Sequence, residues 1–452
     1  MEGFTGSALF WWRSSAQSGA MSSVRRVALA SSAGNAVELY DFLLYGTAAA
    51  LVFDELFFPS ADPRVAVLLS LATFGAGFLA RPLGGVVIGH FGDRVGRRSM
   101  LVLTLSVTGV CTALIGVLPT YSTAGVLAPV LLVTLRVVQG FFLGGEQGGA
   151  TLMAVEHAPP GRAGWYGSWT FLGSPLGLLL ANAAMAAATG ISGDAFLDWG
   201  WRLPFLFSLV LVGIGLYVRL SVEESPEFRR TREHGATVRL PVAEVLRRSW
   251  RTVLLGAGVN LGFTAFIFVL ATFAVSYGRR ELGLPQSLLL TSVLLGAFVQ
   301  VLTILVFARL SDRIGRLPVM LGGAAFLAVF AFPLFWLLRS GSPALVVLAM
   351  LLGYGGSAAI FGPMPAYYAE LFSARVRYSG VSLSYQLGAV LGGGLSPVAA
   401  AALLGATADR ATWPISAYLV GTAAISGVCL LVIGETLRRT RVDGEVDEPA
   451  PS

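Results

Sequence analysis

A chain of 452 residues that is 55% hydrophobic and 12% charged is not an ordinary soluble domain, which carries about 25% charged residues. The 31 basic residues, all arginine, give a formal net charge of +6. They fall in short breaks between long apolar runs, where they set membrane topology, so no nucleic-acid partner is expected. Cys111 and Cys429 lie in apolar runs and His90, His157 and His234 in loops, which offers neither a disulfide framework nor metal-ligand spacing. No G-x-S-x-G, H-E-x-x-H or Walker loop is present, so an enzyme is not expected.

The opening "MEGFTGSALFWWRSSAQSGAM" has too short an apolar stretch for a signal peptide. Met21 precedes the basic "SSVRRVALASS", so residues 1–20 read as a dispensable tail or a misplaced start. A bilayer core takes roughly 20 apolar residues per helix. That window predicts spans near 27–53, 65–91, 98–118, 125–154, 163–189 and 202–220, then 252–277, 286–308, 318–338, 344–369, 376–405 and 413–434. The runs are continuous rather than alternating, which argues against a transmembrane barrel. The predicted fold class is an all-α polytopic membrane protein, twelve transmembrane helices in two six-helix bundles. The expected divisions are a tail over 1–26, a bundle over 27–220, a polar linker over 221–251, a second bundle over 252–434 and a tail over 435–452. Arginine placement puts both tails and the linker on the cytoplasmic side.

The halves repeat. "GHFGDRVGRRSM" at 89–100 returns as "ARLSDRIGRLPV" at 308–319, so Asp93, Arg94, Arg97 and Arg98 match Asp312, Arg313 and Arg316. Glu156 and Arg162 near span 4 match Glu370 and Arg375 near span 10, and "VEES" with Glu223 and Glu224 matches "IGET" with Glu435. Such a parallel duplication is the plan of one class of secondary transporter. Gly96 and Gly315 permit a tight turn. Each aspartate would then lie beside a helix N-terminus of the opposite bundle, where N–H groups and the dipole favour an anion. The arginines would pair with the acids at neighbouring helix ends, making a breakable cytoplasmic latch. The alternative is that these charges only set topology.

Charge inside the membrane is costly and by default functional. Span 1 carries Ser31, Asn35, Glu38, Asp41 and Tyr45 on one helical face. Span 4 carries Arg136, Gln139 and Glu146, and span 2 carries Arg81. Asp41 and Arg136 are compatible in depth and predict either a proton switch or a static packing pair. Glu38 and Glu146 are the competing proton acceptors, Glu146 alternatively capping a close contact in "GGEQGG". Arg81, beside Pro82, reads as structural or as a substrate anchor. The second half offers neutral groups: Asn260, Gln300, Tyr354, Tyr385 and Gln386. With Gln139, Tyr45 and Arg81 these are the candidate cavity residues. Tyr367 and Tyr368 read as interface anchors or gate packing.

The two loop motifs resemble the signature of the major facilitator superfamily. "GNAVELYDFLLYG", "FLARPLGG", "RVVQGFFLGGEQGGA", "WGWRLPFLFS" and "AELFSARVRYSGVSLSYQLGAVLGGGLSP" resemble the bacterial metabolite:proton symporters within it, over essentially 27–435. The stretch from span 2 to span 4 is most similar to the shikimate branch. The resemblance implies alternating access, with Asp41 and Arg136 as the proton-coupling pair and no cofactor beyond the proton. It also implies a small polar metabolite, expected to be a carboxylate, and a monomer in the bacterial inner membrane. Leu39, Phe171 and Leu317 depart from the pattern at places where relatives carry an aromatic residue, a glutamine and a basic residue. The alternatives are an exporter on the same fold, which "LGSPLGLLLA" at 172–181 faintly resembles, and a proline/betaine-type importer. The short tail "RRTRVDGEVDEPAPS", without heptads, weighs against the latter.

Overall fold

The computed structural model describes residues 27–49, 52–59, 63–233, 241–407 and 410–446. His234 and the expected tail over 1–26 lie outside them. The described residues are helical, with no strand among them. Residues 27–49 form α1, followed by α2 (Pro63–Val95), α3 (Arg97–Val117), α4 (Leu127–Glu156), α5 (Ala163–Ser192) and α6 (Arg202–Leu220). The second half runs α7 (Trp250–Arg280), α8 (Gln286–Ile314), α9 (Arg316–Arg339), α10 (Pro343–Leu371), α11 (Arg377–Gly405) and α12 (Trp413–Val446). Ten of these, α3 to α12, are long and apolar enough to cross a bilayer. With α1 and the charge-bearing α2 they make a twelve-helix, two-bundle membrane fold.

Within the first half α2 packs on α4 and α3 on both α4 and α6; within the second, α8 packs on α10 and α7 on α11 and α12. The halves meet where α5 lies on α8 and α10, and where α11 lies on α2 and α4. Small residues decide how close these helices come, because lipid supplies no hydrophobic drive between them. A Cβ on Gly84 would run into the Phe141 carbonyl, and one on Gly140 into the Gly77 carbonyl, so α2 and α4 cross backbone to backbone.

All six even-numbered helix ends and odd-numbered helix starts gather at one end, with the linker; this is called the linker end. There α2 turns into α3 at Gly96 (φ 127°) and α8 into α9 at Gly315 (φ 93°), conformations that favour glycine.

Three features depart from uniform spans. Helices α7 and α11 each contain a π turn, Val269–Phe273 and Val390–Gly394. Helix α10 is interrupted between Phe361 and Met364, where Pro363 has no N–H to continue the ladder. The linker, expected as a polar stretch, carries two short helices, Pro226–Glu233 and Pro241–Arg248, which bury Phe228 and Val245. Apolar burial explains why they form in so charged a segment.

Overpacking a tight crossing costs about 1–3 kcal/mol. Gly140→Val should therefore lower the yield of monodisperse protein in size-exclusion chromatography, while Gly213→Val, where a Cβ meets nothing within 4 Å, should not.

Candidate functional site

Between the bundles lies a cavity of about 310 Å³, lined by α1, α2, α4 and α5 and by α7, α8, α10 and α11. It starts at Asn35, Glu38 and Glu146 and extends past Thr47, Thr272 and Leu290 towards the end opposite the linker. Its floor is an aromatic stack joining the bundles: Phe171 on α5 stacks on Phe361 of α10 at 4.2 Å between ring centroids, and Phe361 on Phe263 at 4.2 Å. The departure at Phe171 is thus a closing contact below the cavity.

Beneath that floor the linker end is held shut by charge. Asp93 accepts the backbone N–H groups of Tyr378 (3.1 Å) and Ser379 (3.0 Å) and the Ser379 hydroxyl (2.7 Å), at the start of α11. Asp312 accepts the N–H groups of Gly164 and Trp165, both at 2.8 Å, at the start of α5. Each aspartate thus sits at a helix N-terminus of the other bundle. Around them Arg97 pairs with Glu156, and Arg316 with Glu370. Glu224 accepts the N–H groups of Arg97 and Arg98, capping α3, and Arg98 donates to the Leu220 carbonyl.

Arg94, Arg162, Arg313 and Arg375 are exposed and form no ion pair among the described residues. Glu223 pairs at 3.4 Å with Arg229 on the open surface, and Glu435 is exposed where the apolar stretch of α12 ends. The structure removes Arg94, Arg162, Arg313, Arg375 and Glu223 from the closing contacts. A helix end offers several charges but turns only one face towards its neighbour. Sequence reasoning chose Arg375 and missed Arg377, which spans the bundles to Glu156 at 2.9 Å. The signal was its position as the first residue of α11.

Deep charges sit almost wholly in the first bundle. No ion pair joins Asp41 to Arg136 among the described residues. Asp41 accepts a hydrogen bond from Ser208 on α6. The Arg136 guanidinium lies 4.0 Å from the ring centroid of Phe42 and 4.2 Å from that of Tyr45, and donates to Gln139. Successive residues on a helix point about 100° apart, so with Phe42 turned to α4, Asp41 turns to α6. Matching depth did not guarantee matching direction.

Glu146 pairs instead with Arg219 and accepts from Thr104 at 2.8 Å; Arg219 also donates to the Leu101 carbonyl. Arg219 was missed because it stands at the end of span 6 and reads as a topology arginine. The signal was its place on the buried stripe Ser208, Val212, Gly215, Arg219, a four-three-four spacing.

Of the candidate cavity residues, Arg81, Gln300, Tyr354, Tyr385 and Gln386 line the space, together with Glu38 and Glu146. Gln139, Tyr45 and Asn260 do not. Gln139 donates to Thr112 at 2.8 Å, Tyr45 to Thr73 at 2.6 Å and Asn260 to the Tyr385 carbonyl at 2.9 Å. Arg81 lies 4.0 Å and 4.6 Å from the ring centroids of Phe42 and Phe78 and has no acidic partner among the described residues. Neither carboxylate oxygen of Glu38 accepts a hydrogen bond. Buried polar atoms of Gln147, Tyr354 and Gln386 are likewise unpartnered. No cluster of metal-ligating residues occurs among the described residues.

A cavity between two repeated bundles, closed at one end by breakable contacts, defines a secondary transporter of the alternating-access class. The sequence matches the family model for sugar (and other) transporters over residues 26–248 and that of the Major Facilitator Superfamily over 279–451. The chain belongs to the major facilitator superfamily and is a multi-pass membrane transporter.

Its curated relatives are transporters rather than enzymes. It is 43% identical to the shikimate transporter of Escherichia coli (strain K12), over 92% of this chain and 96% of that one. It is 34% identical to the proline/betaine transporter of the same organism, over 92% and 84%. Among solved structures, the proton:xylose symporter XylE bound to 6-bromo-6-deoxy-D-glucose superposes with a TM-score of 0.74 at 15% identity, covering 93% of this chain and 96% of that one.

Removing one partner of a buried ion pair costs about 3–5 kcal/mol, because the other charge is stranded. Arg219→Ala should therefore markedly lower the temperature at which monodisperse protein is lost, and Arg219→Ala with Glu146→Gln should regain part of it. Arg94→Ala should leave that temperature unchanged.

Proposed function

We propose that the protein is a proton-coupled symporter that imports a small organic acid by alternating access, as a monomer, with hydroxylated monocarboxylates of the shikimate kind as its substrate class. The observation that carries this reading is the pairing, on one cavity wall, of an arginine without an acid and an acid without a hydrogen bond. Arg81 takes the substrate carboxylate. Unpartnered atoms of Gln147, Tyr354 and Gln386 offer hydrogen bonds to its hydroxyls, and Leu143, Phe263 and Ile267 cover its apolar face. A volume of about 310 Å³ suits a metabolite.

Glu38 takes the proton. Arg81 is among the cations that face it, and a substrate carboxylate engaging Arg81 draws that charge away. A proton on Glu38 then restores neutrality in a dry site. Asp41 is off the cavity, one oxygen held by Ser208 and the other without a hydrogen bond, and serves packing. The arginine-rich linker end faces the cytoplasm of the bacterial inner membrane, so this conformer opens outward. The proline/betaine relatives favour a zwitterionic substrate as the second reading. The faces of Phe42 and Phe78 that would cradle a quaternary ammonium are already occupied by Arg81.

Uptake by proteoliposomes of labelled shikimate, 2-oxoglutarate, citrate, proline and betaine, with and without an inward proton gradient, tests this. A cyclic hydroxy acid should accumulate only with the gradient; preference for betaine or proline would overturn the substrate class. Glu38→Gln should abolish gradient-driven accumulation and retain counterflow, whereas Asp41→Asn should accumulate substrate. The reverse pattern would move the proton to Asp41. Arg81→Ala should weaken binding by about 1.5–3 kcal/mol, roughly 10- to 100-fold.

A further inference from the structure

Tyr378 belongs to α11 in the second bundle, yet its side chain lies inside the first. It is fully buried. A Cβ on Gly92 of α2 would run into its ring, and one on Gly149 of α4 into its hydroxyl, so two glycines leave the slot that receives it. Its N–H is one of those held by Asp93, at 3.1 Å. Its hydroxyl has no hydrogen-bond partner among the described residues. The charges facing the side chain are Asp93 and Arg97 on the linker side, and Arg219 and Glu38 on the cavity side. The ring therefore stands between the closing contacts and the buried acids.

A second, smaller space adjoins the same place. Arg219 lines a pocket of about 20 Å³ with Ser31, Arg98, Met153 and Val222, room for a single water. Its guanidinium reaches from there to Glu146, which lines the main cavity. Glu38 is faced by Arg219 from α6, Asp41 on its own helix, Arg81 from α2, Thr104 from α3 and Tyr378 from α11. Among the described residues, Arg219 and Tyr378 thus face both Glu38 and the groups of the linker end.

We infer that Tyr378 is a plug that keeps the proton site of Glu38 closed to the linker side until the bundles part. This rests on Glu38 as the proton carrier, as proposed above. When Asp93 releases the start of α11, that helix carries Tyr378 out of its glycine slot. Water then reaches Arg219 and Glu38 from the linker side, and the proton leaves Glu38 to that water as substrate leaves the cavity. Proton release is tied to the same motion that opens the substrate path.

The test uses the full chain in proteoliposomes loaded with a pH-sensitive dye, with an inward proton gradient and no substrate. Wild type and Tyr378→Phe, which keeps the ring, should stay tight. Tyr378→Ala should leak protons on the order of tenfold faster, since a proton-bearing site then meets water on both sides. Adding Glu38→Gln should stop the leak. A tight Tyr378→Ala, or a leak that persists with Glu38→Gln, overturns the plug. Should Tyr378→Ala yield no monodisperse protein, Tyr378→Leu carries the test, and a tight Leu variant overturns the plug equally. Such a result leaves the proposed function standing if Glu38→Gln still abolishes gradient-driven accumulation; if it does not, the proton assignment itself has failed.

Discussion

Two carboxylates, each accepting two backbone N–H groups from a helix of the opposite bundle, hold the molecule in its present shape. Asp93 meets the start of α11 and Asp312 the start of α5. A charge at a helix N-terminus contributes about 0.3–1 kcal/mol when exposed and up to about 2 kcal/mol when partly buried. Two such contacts, with the Arg377–Glu156 pair and the Phe171–Phe361 stack, bias an equilibrium by a few kcal/mol. That is the range in which a ligand's differential affinity can reverse the populations of two states. A larger interface of apolar side chains would lock the transporter instead of timing it.

The rest of the charge distribution follows a division of labour. Four of the first bundle's deep ions fall into two separate arrangements. Glu146 and Arg219 are satisfied by each other, by Thr104 and by a carbonyl, as a buried pair requires. Glu38 and Arg81 are left incomplete on the cavity wall. The second bundle contributes neutral groups, Gln300, Tyr354, Tyr385 and Gln386, and the π turns that shape α7 and α11 beside them. Incomplete groups belong where a ligand completes them; the complete pair belongs to the scaffold that holds them.

How much of this could be read in the sequence depends on the kind of signal. Ten of the twelve spans are long apolar runs that hydropathy shows directly, while α1 and α2 carry charges within theirs. The positions of Asp93 and Asp312 show as repeated charge at helix ends, where a glycine with positive φ fixes the turn. Side-chain direction is another matter. Asp41 and Arg136 lie at compatible depth, but Phe42, one residue on, takes the face towards α4. Arg219 looks like one more arginine at a span end, and only the stripe from Ser208 reveals that it points inward. Arg375 and Arg377 are two residues apart, and the start of α11 at Arg377 decides between them. The π turns leave no mark in composition at all, because any apolar helix can host one.

The central claim is that the two aspartates hold the linker end shut, and the direct measurement is a distance across that end. Spin labels at Ala158, just past α4, and Ser373, just before α11, straddle the bundles, and pulsed dipolar spectroscopy in lipid nanodiscs reads their separation. The wild type should show mainly one short distance, and Asp93→Asn with Asp312→Asn should move most of that population to a longer one while a label pair within one bundle stays unchanged. An unaltered distribution in the doubly substituted protein would contradict the claim.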